Sequence, residues 1–208
     1  MNEFSSMTIG DFLRQAASDA PTPGGGAIAA LVGALGGSMA SMAANFTLGK
    51  PKYAEHDAFI RETLATIAPL IDDLRKAVDD DAEAFAGISQ AYARPKGDEA
   101  EKAKRKEAID AALTASMRVP LRVARRCGEA AALLPELARR GNANLLSDVD
   151  VAGIMLTAAS RAALVNIYAN SSMLRTAEAR DAEAEGERLS CRVQGTGEEV
   201  ADIIRTRR

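Results

Sequence analysis

The feature that most constrains this chain is a stretch of thirty residues, 20–49, without a single charged side chain. Such a run is long enough to cross a bilayer. Its content points elsewhere: much of it is Gly, Ala and Ser, and its strong apolar residues form a stripe rather than covering every side. Ile28, Val32, Leu35, Met39, Met42 and Phe46 are separated by steps of 4, 3, 4, 3 and 4, the rhythm of one packed helical seam. Gly33, Gly37 and Ser41 form a second line of small residues, which lets another backbone come close. The expectation is a buried helix over about 27–48 in a helical bundle, and no membrane span. Pro21-Thr22-Pro23-Gly24-Gly25-Gly26 breaks the chain before it, and Gly49-Lys50-Pro51 ends it.

The rest of the chain follows the same helical logic. Its 208 residues suit one domain with a core of its own. Aromatic residues make up 4% with no Trp, so the core draws on Ala, Leu, Ile, Val and Met, which favours helices over sheet. Helices are expected over 8–18, 54–92 with a bend near Pro69, 98–127 with a kink at Pro120, 134–139, and 149–177 behind Ser147 and Asp148 as caps. Residues 178–208 read as a charged surface helix. The expected fold class is therefore all-α, a single-domain helical bundle with long central helices.

Charge and cysteine usage exclude several classes of function. A net charge of -3 gives no general attraction to nucleic acid. Cys127 and Cys191 are far apart, and His56 is the only histidine, so no zinc site or Ser-His-Asp triad can be assembled. No metal is expected. Reduced thiols and the lack of a signal-peptide pattern point to the cytoplasm.

Four features break the structural pattern. The seam Ile67, Ile71, Leu74, Val78, Phe85, Ile88 and Tyr92 requires a residue at position 81, and that residue is Asp81. A carboxylate there costs several kcal/mol unless paired, hydrogen-bonded or protonated, and Asp79, Asp80 and Glu83 nearby would discourage its ionisation. It reads either as a functional carboxyl of perturbed pKa or as part of a solvated face with the seam drifting to Ala82. Asn166 and Asn170 share a helix face and read either as amides for a heteroaromatic ligand or as helix–helix hydrogen bonds. Gly24, Gly25 and Gly26 present backbone N–H groups to an anion or carbonyl, or form a tight turn. Lys50 caps a helix end or meets an acidic substrate tail.

The segment from Pro21 through Gly24-Gly25-Gly26 to Ala30 resembles the P-x-PGGGS-[VI]-AA motif of the formimidoyltetrahydrofolate cyclodeaminase / methenyltetrahydrofolate cyclohydrolase family. Asp79-Asp80-Asp81-Ala82-Glu83-Ala84-Phe85 resembles its D-x-DAEAF segment. Val119-Pro120-Leu121, Gly141-Asn142 through Ser147-Asp148, and the pair Asn166 and Asn170 extend the likeness over about residues 8–177. Ala27 departs from it, because the family usually has Ser there and a substrate hydrogen bond from that hydroxyl would be missing. The resemblance implies an all-α homodimer acting on a folate one-carbon substrate without a further cofactor. It implies hydrolysis of 5,10-methenyltetrahydrofolate to 10-formyltetrahydrofolate, with the related cyclodeaminase reaction, which releases ammonia, as the alternative. The fused transferase domain of the vertebrate enzyme is absent from the sequence, as expected of a stand-alone enzyme. It implies Asp81 as the catalytic carboxylate, with Asp79 or Asp148 as the second. Asn142, Asn144, Asn166 and Asn170 would read the pterin edge, Gly24, Gly25 and Gly26 would wall the pocket, and Lys50 would meet the glutamate tail. A different class of reading is a non-catalytic scaffold that oligomerises through Gly33, Gly37 and Ser41.

Overall fold

The computed structural model describes residues 3–207, and among these there are helices and turns but no strand. Eight α-helices follow in order: α1 (Ile9–Ala16), α2 (Gly25–Asn45), α3 (Asp57–Tyr92), α4 (Glu99–Ser116), α5 (Arg118–Ala131), α6 (Leu134–Arg140), α7 (Leu146–Ser171) and α8 (Ala177–Arg207). Short 3-10 turns precede α1, α3 and α7.

The centre of the bundle is α2, packed by α3, α5 and α7. It begins at Gly25, two residues before the expected Ala27, with Gly24 as an extended N-cap. After Asn45 the chain turns through Gly49 at φ 70°, a left-handed conformation that suits glycine, and Pro51 opens the next turn.

The large-residue stripe is turned mostly away from the core, with only Val32 and Met39 packed against its edge. Gly26, Ala27, Ala30, Gly33, Gly37, Ala40 and Ala44 are buried instead, while Ile28, Leu35 and Phe46 are exposed. Crowding decides this. A Cβ on Gly33 would lie 3.0 Å from Cys127 Sγ and 3.2 Å from Leu74 Cδ2. One on Gly36 would lie 3.2 Å from the Leu156 backbone nitrogen, and one on Gly37 2.9 Å from Ile71 Cγ1. Four neighbours this close leave room only for the small-residue face. Gly33 and Gly37 are therefore buried within their own chain, which removes them as the oligomerisation surface of the scaffold reading.

Other boundaries shift for local reasons. The expected helix over 98–127 is two helices, separated at Met117. Pro120 favours a break because its ring opposes the carbonyl of Ser116, and it falls in the first turn of α5, where its missing N–H costs nothing. The longer α3 continues through Pro69. The start of α7 is Leu146, so Ser147 and Asp148 lie inside its first turn rather than capping it. The cap in this region is Asn142, which accepts the Asn144 amide at 3.1 Å. The charged tail is a core element: α8 buries Leu189, Val193, Val200 and Ile204 against α5, α6 and α7. It is clamped by Arg125–Glu185 at 2.6 Å and Arg139–Glu199 at 2.7 Å.

Candidate active site

The N-terminal end of α2 lies against the C-terminal halves of α3 and α7. The two helices α2 and α7 run antiparallel: Gly25 sits by Asn166, Gly33 by Ala159 and Gly36 by Leu156. Where these elements meet there is a cleft of about 220 Å³ lined by Gly24, Gly25, Gly26, Asp81, Asn166 and Asn170, with Phe85 and Ile88 as an apolar wall.

Asp81 reaches this cleft from the seam of α3. Its Oδ2 accepts the Ala27 backbone N–H at 2.9 Å. Gly24 offers no capping side chain to α2, so Asp81 acts as an N-cap supplied by another helix, beside the positive end of the α2 dipole. A Cβ on Gly26 would overlap the carboxylate itself, so glycine is required for Asp81 to be there.

Burial raises the Asp81 pKa above the usual carboxylate range, and the Ala27 amide opposes this in part. The acidic neighbours are not the cause, as the sequence had suggested. Asp79 turns away and accepts the Ser5 amide at 3.1 Å and its hydroxyl at 2.5 Å. Asp80 is bonded to Lys76 at 2.7 Å and to Arg122. Burial of Asp80 pulls its pKa upward, but the bonds and charges of Lys76 and Arg122 outweigh it, and the net shift is downward.

Asn166 is held by its Nδ2, which donates to the Ala162 carbonyl at 2.8 Å. This leaves the Oδ1 as the free acceptor beside Gly25. Ala27 is fully buried, so its side chain belongs to the core and not to the open cleft. Sequence reasoning missed Pro21, Thr22, Ala84 and Ser116, which also line the cleft. Ser116 gives no signal in the sequence, because it reaches the cleft through the break between α4 and α5.

The other expected residues gather at the far end of α2, about 30 Å away at 1.5 Å per residue. Asn142 donates from Nδ2 to the Phe46 carbonyl at 3.1 Å and from its amide to Thr47 Oγ1 at 2.9 Å. Those bonds occupy it in closing the C-terminus of α2. Lys50 and Asn144 are exposed there, and Asp148 lies in the first turn of α7. Within one chain, then, Asp81 is joined by the glycines, Asn166 and Asn170, but not by Asp79, Asp148, Lys50, Asn142 or Asn144. Among the described residues no group of three or more His, Cys, Asp or Glu side chains is placed to hold a metal ion.

A preformed carboxylate beside a helix N-terminus, with amides on one wall and an apolar surface on the other, can take a proton, stabilise a positive charge and hold a flat polar ring. Known proteins resemble this chain in sequence and in fold. A sequence model of the family described as formiminotransferase-cyclodeaminase matches residues 8–187. A methenyltetrahydrofolate cyclohydrolase of Methylorubrum extorquens is 41% identical, over 86% of this chain and 88% of that protein. A formimidoyltransferase-cyclodeaminase of Mus musculus is 33% identical over 76% of this chain but 29% of its own length, so this chain spans less than a third of that protein. A crystal structure of formiminotetrahydrofolate cyclodeaminase from Thermotoga maritima matches with a TM-score of 0.86 and 28% identity, covering 97% of each chain. With the family model matched over residues 8–187 and the fold shared over 97% of its length, the chain belongs to the formiminotransferase-cyclodeaminase family.

Proposed function

We propose that this chain is a methenyltetrahydrofolate cyclohydrolase that hydrolyses 5,10-methenyltetrahydrofolate to 10-formyltetrahydrofolate. The observation that carries the reading is the Asp81 carboxylate, desolvated yet held at the cleft wall by a single backbone hydrogen bond. The methenyl carbon lies between two nitrogens and is already electrophilic, so the chemistry requires a base and charge stabilisation rather than a cofactor. Asp81 takes a proton from water as its oxygen bonds to that carbon. The tetrahedral adduct then collapses with cleavage of the carbon–N5 bond, leaving the formyl group on N10, a proton on N5 and one proton released. A cationic ring next to Asp81 also favours the ionised carboxylate on binding, counteracting its desolvation.

The 41% identity to the Methylorubrum protein along most of both chains supports this activity over its relative. The second reading, cyclodeamination with ammonia release, draws on the Thermotoga structure and the mouse protein. Both reactions pass through a tetrahedral adduct at the same carbon, so one cleft can serve either. Purified chain is expected to bleach methenyltetrahydrofolate absorbance in a saturable manner and to release no ammonia from the formimino substrate. The converse result assigns the cyclodeaminase activity, and neither activity removes both. We further propose that the chain works in the cytoplasm as a homodimer.

A further inference from the structure

One polar side chain on the cleft wall has no task in the mechanism above. Ser116 ends α4, and it is 4% exposed although it lines the open cleft. The packing around it fixes it there. Leu113 and Met117, on either side of it, are buried in a second apolar cluster with Ile167 of α7, and Ile88 of α3 packs against that cluster. Ala111, Ala112 and Ala115 fill the same last turns of α4, and alanine is the better helix former at such a position. The helix itself gains nothing from a buried hydroxyl at position 116.

Its hydrogen bonding defines what it can offer a ligand. Ser116 Oγ donates its single proton to the Leu113 carbonyl at 2.8 Å. A hydroxyl has one donor and two acceptor lone pairs, so toward the cleft Ser116 is an acceptor. Asn166 is in the same condition, with Nδ2 committed to the Ala162 carbonyl and Oδ1 left open. The Asp81 carboxylate is a third acceptor. These three side chains therefore suit a ring edge rich in N–H donors, while the first-turn N–H groups of Gly25 and Gly26, which have no intrahelical partner, suit its oxygen.

The acceptors are spread along the cleft. Asp81 and Asn166 lie at its α2 end, against Gly26 and Gly25. Ile88, which packs on the cluster that seats Ser116, is two turns further along α3, about 10 Å from Asp81. Phe85 and Ile88 supply the apolar surface between them. A fused bicyclic ring lying on that surface, with its one-carbon unit at Asp81, carries its opposite end to Ser116. We propose that Ser116 is a specificity-determining residue: its Oγ accepts a hydrogen bond from the exocyclic amino group at the end of the substrate ring farthest from the reacting carbon. The inference rests on the folate reading above.

Paired changes to enzyme and substrate test it. Ser116→Ala should raise KM for methenyltetrahydrofolate about tenfold, the scale of one lost hydrogen bond, with kcat within about threefold and no loss of Tm. The 2-deamino analogue, in which hydrogen replaces the amino group, should lose at least as much with the wild-type chain. In Ser116→Ala that penalty should shrink about tenfold, because two changes that remove one bond do not add. Unchanged KM in Ser116→Ala, or penalties that add in full, overturns the assignment and returns Ser116 to its bond with Leu113. Calorimetric binding of tetrahydrofolate, which lacks the one-carbon unit and cannot react, keeps the two readings apart. A Kd weakened about tenfold by Ser116→Ala, in a chain that turns over no methenyltetrahydrofolate, overturns the functional reading and leaves the contact standing. Equal Kd for the two chains, beside normal turnover by the wild type, overturns the contact alone.

Discussion

The Asp81 carboxylate occupies the space that a side chain on Gly26 would fill, and from there it caps α2 through the Ala27 amide. The glycine run and the acidic segment, fifty-five residues apart in sequence (26 to 81), are one structural device. A Gly26→Ala substitution is therefore expected to displace Asp81 and lower kcat about 100-fold or more, the scale of losing a positioned base. Steady-state kinetics with circular dichroism checks this: full activity in a folded variant removes Asp81 from the reaction.

At Gly25 the outcome should differ. A Cβ there would sit 3.4 Å from Asn166 Oδ1, an ordinary contact, and would project toward the cleft. Gly25→Val should therefore raise KM about tenfold or more with a Tm change under about 4 °C, roughly 1–2 kcal/mol for a chain of this size. A large loss of Tm together with unchanged KM in the folded fraction would return Gly25 to a purely structural role.

Asp81→Asn separates catalysis from stability. The amide oxygen can still cap Ala27, but it cannot take a proton, so kcat should fall by about 10²–10⁴. Because burial raises the Asp81 pKa in the folded state, its favourable contribution is complete below the ordinary aspartate range and is lost as pH rises through the raised value. At neutral pH the asparagine variant should therefore be more stable, with a Tm higher by about 2–4 °C, and the gain should vanish in acid. The acid limb of wild-type kcat/KM should fall above the ordinary aspartate range for the same reason.

Asp79 provides the contrast, since its carboxylate is committed to Ser5. Asp79→Asn should retain kcat within about threefold and cost about 1 kcal/mol of stability through a weakened hydrogen bond. A loss of kcat comparable to that of Asp81→Asn would make the two carboxylates a working pair.

Asn142→Ala tests the closure of the far end of α2. The lost bond to the Phe46 carbonyl should cost about 1 kcal/mol. Thermal unfolding should show the drop, while a variant of unchanged Tm with raised KM would place Asn142 at the substrate instead.

The helical character of this chain, most of its elements and the oddity of Asp81 were legible from spacing. Periodicity reports directly which residues share a helix face, and a carboxylate on an apolar seam stands out against it. The sequence also carried the motifs of the cleft: Gly24 to Gly26, Asp81, Asn166 and Asn170 do meet. Spacing could not say which of two stripes on α2 faces inward. Hydrophobicity favours the large residues, but Leu74, Ile71, Cys127 and Leu156 leave space only for glycine and alanine, and that crowding exists only in three dimensions. Nor could it tell that Asn142 and Lys50 lie a whole helix length from Asp81, because distance along a rigid helix separates residues that a list of motifs sets side by side. The charge-free stretch determined that α2 would be a helix; the packing around it decided that its small side would build the core and that Ile28, Leu35 and Phe46 would remain outward.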